Sequence, residues 1–271
     1  MRSCACGEIC DACRAGVPRA AKDLWLATFR THARAQGGRP PADLALADGE
    51  GVFARWVFGL GEFRYARAPR SPEEAYGWFE LTTACDQVCR HCFLGERLRH
   101  GHVPMADISL ALCAAHEAGV FEVVLSGGEP TLHPRFCDIV RLTRQMFRRV
   151  RVLTNGRTHR DDVVEVLAHP SIVVEVPLLA VGSTHDFLTG VPGSFERAVE
   201  TIGVLKARGV EVWLTTTLTR FAVADLERLR ALAAELGVPF QASRLFPLGR
   251  ARERWAELAP SLPPEVLAEV S

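Results

Sequence analysis

From about residue 76 onwards, short apolar runs alternate with longer amphipathic stretches. The apolar runs predict strands over 77–81, 122–125, 150–153, 172–177, 210–216 and 240–246. The stretches between them predict helices over about 106–118, 134–147, 161–168, 194–208 and 223–236. This alternation is typical of parallel βα units with right-handed crossovers. Six strands predict an α/β fold, an incomplete parallel (β/α)6 barrel of the TIM type, with ligands bound at the carboxyl ends of the strands.

The first seventy or so residues have a different pattern. Apolar residues at helical spacing predict a helix over about 18–35, and β-forming residues over 52–58 and 62–67 predict a hairpin. A proline-rich segment at 69–72 is typical of a linker. We therefore expect two domains, a cysteine-rich N-terminal extension over 1–72 with a helix and a hairpin, and a core over 73–271.

Composition restricts the class of protein further. The chain has 271 residues, of which 48% are hydrophobic, and this argues against disorder. Its formal net charge is zero, so we expect neither a nucleic-acid nor an anionic-membrane partner. The sequence has no apolar run of about 18 residues, and its N-terminus is rich in cysteine and unlike a signal sequence. These features predict a cytoplasmic protein.

Nine cysteines are present, and in a reducing compartment clustered cysteines indicate metal ligands more often than disulfides. Cys85, Cys89 and Cys92 lie in a polar segment just after the first strand of the core. Three thiolates at this spacing can hold a [4Fe–4S] cluster and leave one iron without a cysteine. Two other interpretations are three buried cysteines on one helix face, and a zinc site that uses His91 as its fourth ligand.

Further motifs follow the next strands of the core. The second strand is followed by Gly127, Gly128, Glu129 and Pro130. The glycine pair allows close approach of the backbone to a ligand. The carboxylate can bind an ammonium group. Thr154 and Asn155 follow the third strand, and Arg244 lies at the end of the sixth. His185 and Asp186 invite a catalytic interpretation, but loop organisation and helix capping are favoured.

Taken in order, these motifs resemble those of the radical S-adenosylmethionine (SAM) superfamily, over about residues 76–250. By this resemblance Cys85, Cys89 and Cys92 hold the cluster, and His91 takes the place of the usual aromatic residue. The resemblance also implies SAM contacts, with the amino group at the glycine–glutamate turn, the carboxylate at Arg244, and further contacts at Thr154 and Asn155.

The resemblance implies an oxidoreductase that uses a [4Fe–4S] cluster and SAM. The reduced cluster would cleave SAM to a 5′-deoxyadenosyl radical that abstracts hydrogen from a substrate, with reduced flavodoxin or ferredoxin as electron donor. A peptide or protein side chain is the expected substrate, because the motifs are similar to those of the peptide-modifying SPASM group. A small metabolite in cofactor or natural-product biosynthesis is the alternative substrate, and a non-catalytic zinc or iron–sulfur binding protein is the alternative of another class.

Two features depart from the SPASM pattern. Residues 177–180 read Pro-Leu-Leu-Ala where a polar sequence is common, so no ribose contact is assigned there. No cysteine follows Cys137, so the C-terminal auxiliary-cluster domain is expected to be absent or to have been removed.

A second cysteine group lies near the N-terminus, at Cys4, Cys6, Cys10 and Cys13. Four thiols in ten residues suffice for an iron–sulfur cluster or for a tetrahedral zinc site. The alternative is a flexible cysteine-bearing tail.

Overall fold

The computed structural model describes residues 54–57, 76–95, 98, 101–117, 122–157 and 160–261. Several expectations lie outside these residues and stay predictions. They are the helix over 18–35, the second hairpin strand over 62–67, the linker at 69–72 that would divide the two domains, and the N-terminal cysteines Cys4, Cys6, Cys10 and Cys13.

The strands of the described residues follow one another in chain order and form parallel pairs. They are β1 Ala54–Val57, β2 Tyr76–Glu80, β3 Glu122–Ser126, β4 Arg149–Leu153, β5 Ile172–Pro177, β6 Glu211–Leu218 and β7 Phe240–Arg244. All six predicted core strands are therefore present, as β2 to β7. Strand β1 lies within the predicted first hairpin strand, and it pairs in parallel with β2.

Helices occupy the stretches between the strands. They are α1 Met105–Glu117, α2 Phe136–Met146, α3 Asp161–Leu167, α4 Ser183–Thr189, α5 Ser194–Ala207, α6 Arg220–Ala224, α7 Leu226–Leu236, α8 Arg250–Glu253 and α9 Trp255–Leu258. The five predicted helices are confirmed, although the predicted 223–236 helix is divided at Asp225 into α6 and α7. Helix α4 lies within a stretch that we expected to be a loop.

The chain divides into two compact units. Unit 1 contains Met1–Thr82, His102–Gly127 and His133–Arg151, and in it the strand order is β1, β2, β3 and the first residues of β4. Its core is apolar side chains of β3, α1 and α2, among them Val124, Leu125, Ile108 and Ile139, which are fully buried. A helix face packed on a parallel strand in this way removes β-branched and leucine side chains from water.

Unit 2 contains Thr83–Gly101, Gly128–Leu132 and Val152–Ser271, with the rest of β4 followed by β5, β6 and β7. Strand β6 alternates, since Val212, Leu214 and Leu218 are buried while the residues between them are half-buried or exposed. Strand β6 packs on α5 and α6, and buried Leu218 clusters with Leu226 at the start of α7. Unit 2 contains most of the residues singled out by the sequence, among them Cys85, Cys89, Cys92, Glu129 and Asn155.

None of the helices that the structure describes combines the length and the apolar character needed to cross a membrane.

Candidate active site

The three core cysteines lie in the loop that follows β2, within unit 2. All three are free and half-buried. The loop is fixed from two sides by backbone hydrogen bonds. Val88 N and Arg90 N donate to the last carbonyls of α4, Thr189 O at 2.9 Å and Leu188 O at 2.8 Å, and Arg250 N at the start of α8 donates to Cys92 O at 3.0 Å. The cysteines are therefore presented by a loop whose backbone is tied to two neighbouring elements.

Gly249 is the point where the chain before α8 approaches this loop. Its φ is +52°, and a Cβ there would lie 2.4 Å from Phe93 O and 2.5 Å from Cys92 O. Only glycine fits such a contact without movement of the backbone. The segment between β7 and α8 thus packs directly on the last cysteine of the loop.

Burial controls the acidity of the thiols. It raises the pKa of Cys85 to about 12 and the pKa of Cys89 well above its ordinary value, and neighbouring negative groups add to both shifts. The protonated Cys89 thiol donates to Gln87 Oε1 at 3.2 Å. A bound iron cluster would replace these protons, because cationic iron compensates buried thiolates.

The donor set fits a cluster that is bound by three cysteines. In the described part of the chain, no three His, Cys, Asp or Glu side chains are arranged to hold a single metal ion. Three cysteines that each bond a different iron of a cube do not need to converge on one ion.

The glycine–glutamate turn after β3 packs against the cysteine loop. Glu129 N donates to Ala84 O at 2.7 Å, and a Cβ on Gly128 would lie 2.1 Å from that same oxygen and 3.1 Å from Cys85 Cβ. We explained the glycine pair by close approach to a ligand. The structure shows close approach of Gly128 to the backbone that carries the first cysteine. Pro130 is buried and begins a 3-10 turn, Pro130–Leu132.

The Glu129 carboxylate is buried and joins this turn to the end of β4. Its Oε1 accepts from Thr131 N at 3.0 Å, Thr131 Oγ1 at 2.6 Å and Thr154 Oγ1 at 2.8 Å, while Oε2 accepts from Asn155 N at 2.7 Å. Burial raises the pKa of Glu129, and these hydrogen bonds oppose the shift. Oε1 accepts three hydrogen bonds and Oε2 accepts one, so Oε2 is the atom with the greater capacity for a further donor.

The Asn155 side chain connects the end of β4 to the cysteine loop. Its Nδ2 donates to Asp86 Oδ1 at 2.6 Å, and its Oδ1 accepts from Arg157 N at 2.9 Å. Arg157 also reaches Asp86, through Nη1, at 2.9 Å to the backbone oxygen and 2.8 Å to Oδ2. The structure therefore brings Glu129, Thr154 and Asn155 together beside the loop of Cys85.

His91 lies in the cysteine loop, and its Nδ1 is buried without a hydrogen-bond partner among the described residues. Burial, followed by the field of His185, lowers the pKa of His91 to about 4, so the ring is neutral at physiological pH. His185 is also neutral, since burial lowers its pKa to about 4, and its Nδ1 accepts from Leu179 N at 3.1 Å.

Asp186 and His185 have contacts that fit the loop organisation and helix capping favoured in the sequence analysis. Asp186 accepts from Gly193 N, Ser194 Oγ and Phe195 N at 2.6 to 3.0 Å, which caps the start of α5. These bonds lower the pKa of Asp186 although its partial burial acts in the opposite direction. The cap fixes the segment between α4 and α5.

Arg244 ends β7 and is exposed, and it pairs in register with Leu218. Its side chain lies on the same face of the strand as Ala242, opposite to Ser243.

The sequence did not single out Asp86, Arg157 or Arg250, which anchor the cysteine loop. Nothing in their local sequence indicates that role, because each acts through a residue distant in the chain.

Comparisons with known proteins identify the family of the chain. Residues 79–233 match the model of the radical SAM superfamily. The mycofactocin maturase MftC of Mycobacterium tuberculosis is 32% identical over 192 residues, which are 69% of this chain and 49% of that protein. The sporulation killing factor maturation protein SkfB of Bacillus subtilis is 28% identical over 66% of this chain and 44% of its own length. The chain thus spans about half the length of the curated relatives it matches.

A solved structure has the same fold. Streptococcus suis SuiB, in a crystal structure with its precursor peptide SuiA, has a TM-score of 0.59 at 20% identity, over 64% of this chain and 40% of that chain. This likeness confirms the predicted fold class. The chain belongs to the radical SAM superfamily, as its motifs indicated.

Proposed function

We propose that this protein is a radical SAM enzyme that binds a [4Fe–4S] cluster on Cys85, Cys89 and Cys92 and acts on a peptide. The observation that carries the proposal is the direct hydrogen bonding between the cysteine loop and the Glu129 turn, through Ala84, and between that loop and Asn155, through Asp86. When bound, the cluster supplies the one electron that cleaves SAM into methionine and a 5′-deoxyadenosyl radical, which abstracts hydrogen from the substrate.

The residues of this chain have three tasks in that reaction. The anchored loop would hold the cluster through its three cysteine thiolates. Glu129 Oε2 accepts from the SAM ammonium, and the bonds at Oε1 hold the carboxylate in place for that contact. His91 would take part in cofactor binding, and the apolar residues at 245–248 would line the SAM adenine. Gly127 and Pro130 belong to the same turn as Glu129, and Thr154 bonds Glu129 Oε1 from the end of β4. Exposed Arg244 would move to reach the SAM carboxylate.

A peptide substrate is supported by the relatives. MftC and SkfB are named as maturation proteins, and SuiB has been crystallised with a precursor peptide. A reduced flavodoxin or ferredoxin would supply the electron, and a cytoplasmic location follows from the need for a reducing compartment.

The test is SAM cleavage by anaerobically reconstituted protein with dithionite as reductant. We expect 5′-deoxyadenosine and methionine in equal amounts, and an EPR signal of the reduced cluster that changes when SAM is added. A variant with alanine at Cys85, Cys89 and Cys92 is the matched control and should give neither. If this variant kept the SAM-sensitive signal, the cluster assignment would be wrong. Short precursor peptides encoded beside the gene should change in mass on turnover, whereas a small-metabolite enzyme would leave them unchanged.

A further inference from the structure

The outer side of the cysteine loop carries exposed apolar side chains. Val88, between the first and second cysteine, is 57% exposed, and Phe187 at the end of α4 is 46% exposed. Trp255 at the start of α9 is 38% exposed. Large apolar side chains that remain exposed close together are typical of interaction sites.

Arg90 of the cysteine loop contacts both Phe187 and α9. The Arg90 guanidinium lies over the Phe187 ring at 3.9 Å and pairs with Glu257 of α9 at 3.0 Å. Arg254 pairs with the same Glu257 at 3.1 Å. Phe187 also meets the Phe221 ring of α6, with centroids 6.0 Å apart.

Two more contacts complete the surface. Arg220, which begins α6, donates to Ala256 O of α9 at 3.2 Å, and exposed Arg252 of α8 donates to Pro247 O at 3.2 Å. We call this surface the arginine face, and define it by Val88, Phe187, Trp255, Arg90, Arg220, Arg250, Arg252 and Arg254.

The arginine face is locally positive although the whole chain is neutral. The chain as a whole carries 32 basic and 32 acidic residues. Over residues 250–258, Glu253 and Glu257 are the only carboxylates, against the arginines Arg250, Arg252 and Arg254, and the cysteine loop and α6 add Arg90 and Arg220. Asp86, the acidic residue of the cysteine loop, is already paired with Arg157. The excess of arginine favours an acidic partner.

The arginine face lies against the backbone of the cluster ligands. Arg250 Nη1 donates to Cys89 O at 3.4 Å. Arg90 and Val88 belong to the loop itself, on either side of Cys89. A protein bound here would contact the loop that carries the three cysteine ligands.

We propose that the arginine face is the docking site for an acidic one-electron carrier protein of the flavodoxin or ferredoxin type. This inference rests on the proposed function, because each reductive cleavage of SAM consumes one electron that must come from outside the chain. In the step, the reduced carrier loses one electron and the oxidised cluster gains it, and no bond or proton is transferred. The exposed apolar side chains supply contact area, and the arginines steer and orient an acidic surface.

The experiment compares two electron sources in the SAM-cleavage assay. Dithionite is a small reductant that needs no docking surface, and reduced flavodoxin is the protein probe. The test variant is Arg220→Glu/Arg252→Glu, which reverses two exposed charges outside the catalytic site. The matched control is Arg208→Glu, an exposed arginine after α5, at the amino end of β6 and so at the end of the βα units opposite the cysteine loop.

We expect the double variant to raise the KM for flavodoxin roughly tenfold or more and to flatten its dependence on salt between about 0.05 and 0.5 M. Iron content and the dithionite-driven rate should equal those of the parent protein, and Arg208→Glu should behave as the parent.

Three results would overturn the proposal: a parental KM for flavodoxin in the double variant, an equal loss in Arg208→Glu, or a changed oligomeric state, which would make the arginine face a self-association surface. Loss of peptide turnover with dithionite would assign the face to the substrate instead. Absence of SAM cleavage by the parent protein with dithionite would contradict the proposed function, and this result is distinct from failure of the docking proposal.

Discussion

Arg157 Nη1 donates to two oxygens of Asp86, the backbone carbonyl oxygen at 2.9 Å and the carboxylate Oδ2 at 2.8 Å. Because Asp86 follows Cys85 directly, this ion pair fixes the first cysteine of the loop and also neutralises a negative charge beside it. Burial is the main cause of the raised pKa of the Cys85 thiol, and the field of Asp86 adds to the shift. The first prediction concerns that charge.

Replacing Arg157 by Gln leaves the Asp86 carboxylate uncompensated, and we expect the reduction potential of the cluster to fall. A shift of roughly 60 mV corresponds to a tenfold change in the one-electron equilibrium. Asp86→Asn should shift the potential in the opposite direction, and the double variant should return towards the parent. An EPR-monitored redox titration measures all three. Equal reduction potentials in the parent protein and in Arg157→Gln would show that the Arg157–Asp86 ion pair stabilises the loop without affecting the cluster.

The second prediction concerns Gly128, whose missing side chain allows the turn to contact the cysteine loop. In Gly128→Ala the new Cβ would lie 2.1 Å from Ala84 O, so the backbone must move. We expect about 2–4 kcal/mol of lost stability and poor cluster assembly. Gly203→Ala is the control, because nothing lies within 4 Å of a Cβ there and the residue is inside α5, where alanine is favoured. Iron content and thermal unfolding distinguish the two, and a well-loaded, stable Gly128→Ala protein would contradict the contact.

The contacts of Arg157 with Asp86 and of Gly128 with Ala84 could not be predicted from the sequence. The strand and helix periodicities predicted β2 to β7 and the five long helices, because burial of one face leaves a regular pattern along the chain. The spacing of Cys85, Cys89 and Cys92 was informative for the same local reason. The tie between Asp86 and Arg157 joins residues 71 positions apart, and only the folded structure shows it. Helix α4 was missed because its seven residues include polar and β-branched residues that favour a loop.

The third prediction concerns SAM binding at Glu129. Glu129→Gln keeps the side-chain volume and one acceptor oxygen but places an amide NH2 where the SAM ammonium should be bound. Loss of a charge-assisted hydrogen bond of about 1.5–3 kcal/mol implies roughly tenfold to hundredfold weaker SAM binding. The cluster should still assemble, since the cysteines are unchanged. Equilibrium binding of SAM to the reconstituted protein is the measurement, and unchanged affinity would remove Glu129 from the SAM site.

The fourth prediction concerns His185 and the dependence of stability on pH. Burial lowers its pKa from 6.5 to about 4, so the unfolded chain binds this proton more readily than the folded protein does. The stability contributed by the neutral ring is therefore complete above pH 6.5 and is lost as the pH falls towards 4. Full loss would amount to about 3 kcal/mol.

His185→Asn offers an acceptor for Leu179 N without a titrating ring. Thermal unfolding between pH 4 and 8 should show a shallower acid decline for this variant than for the parent protein. The same slope in both proteins would place the acid sensitivity elsewhere, for example in other buried histidines.

The last prediction concerns Cys4, Cys6, Cys10 and Cys13, whose spacing allows a second metal centre. If they bind metal, removal of residues 1–16 should lower the content by one centre, which is about four irons for a cluster or one zinc for a tetrahedral site. The radical SAM cluster should survive the truncation, because its loop is held by α4 and by the segment before α8, which stay intact. SAM cleavage with dithionite should then persist, and turnover of the peptide should fall if the second centre binds substrate or passes electrons. A tail without metal gives a different result, because iron, zinc and turnover would all be unchanged. Elemental analysis of the intact and truncated proteins, both reconstituted anaerobically, decides between the two.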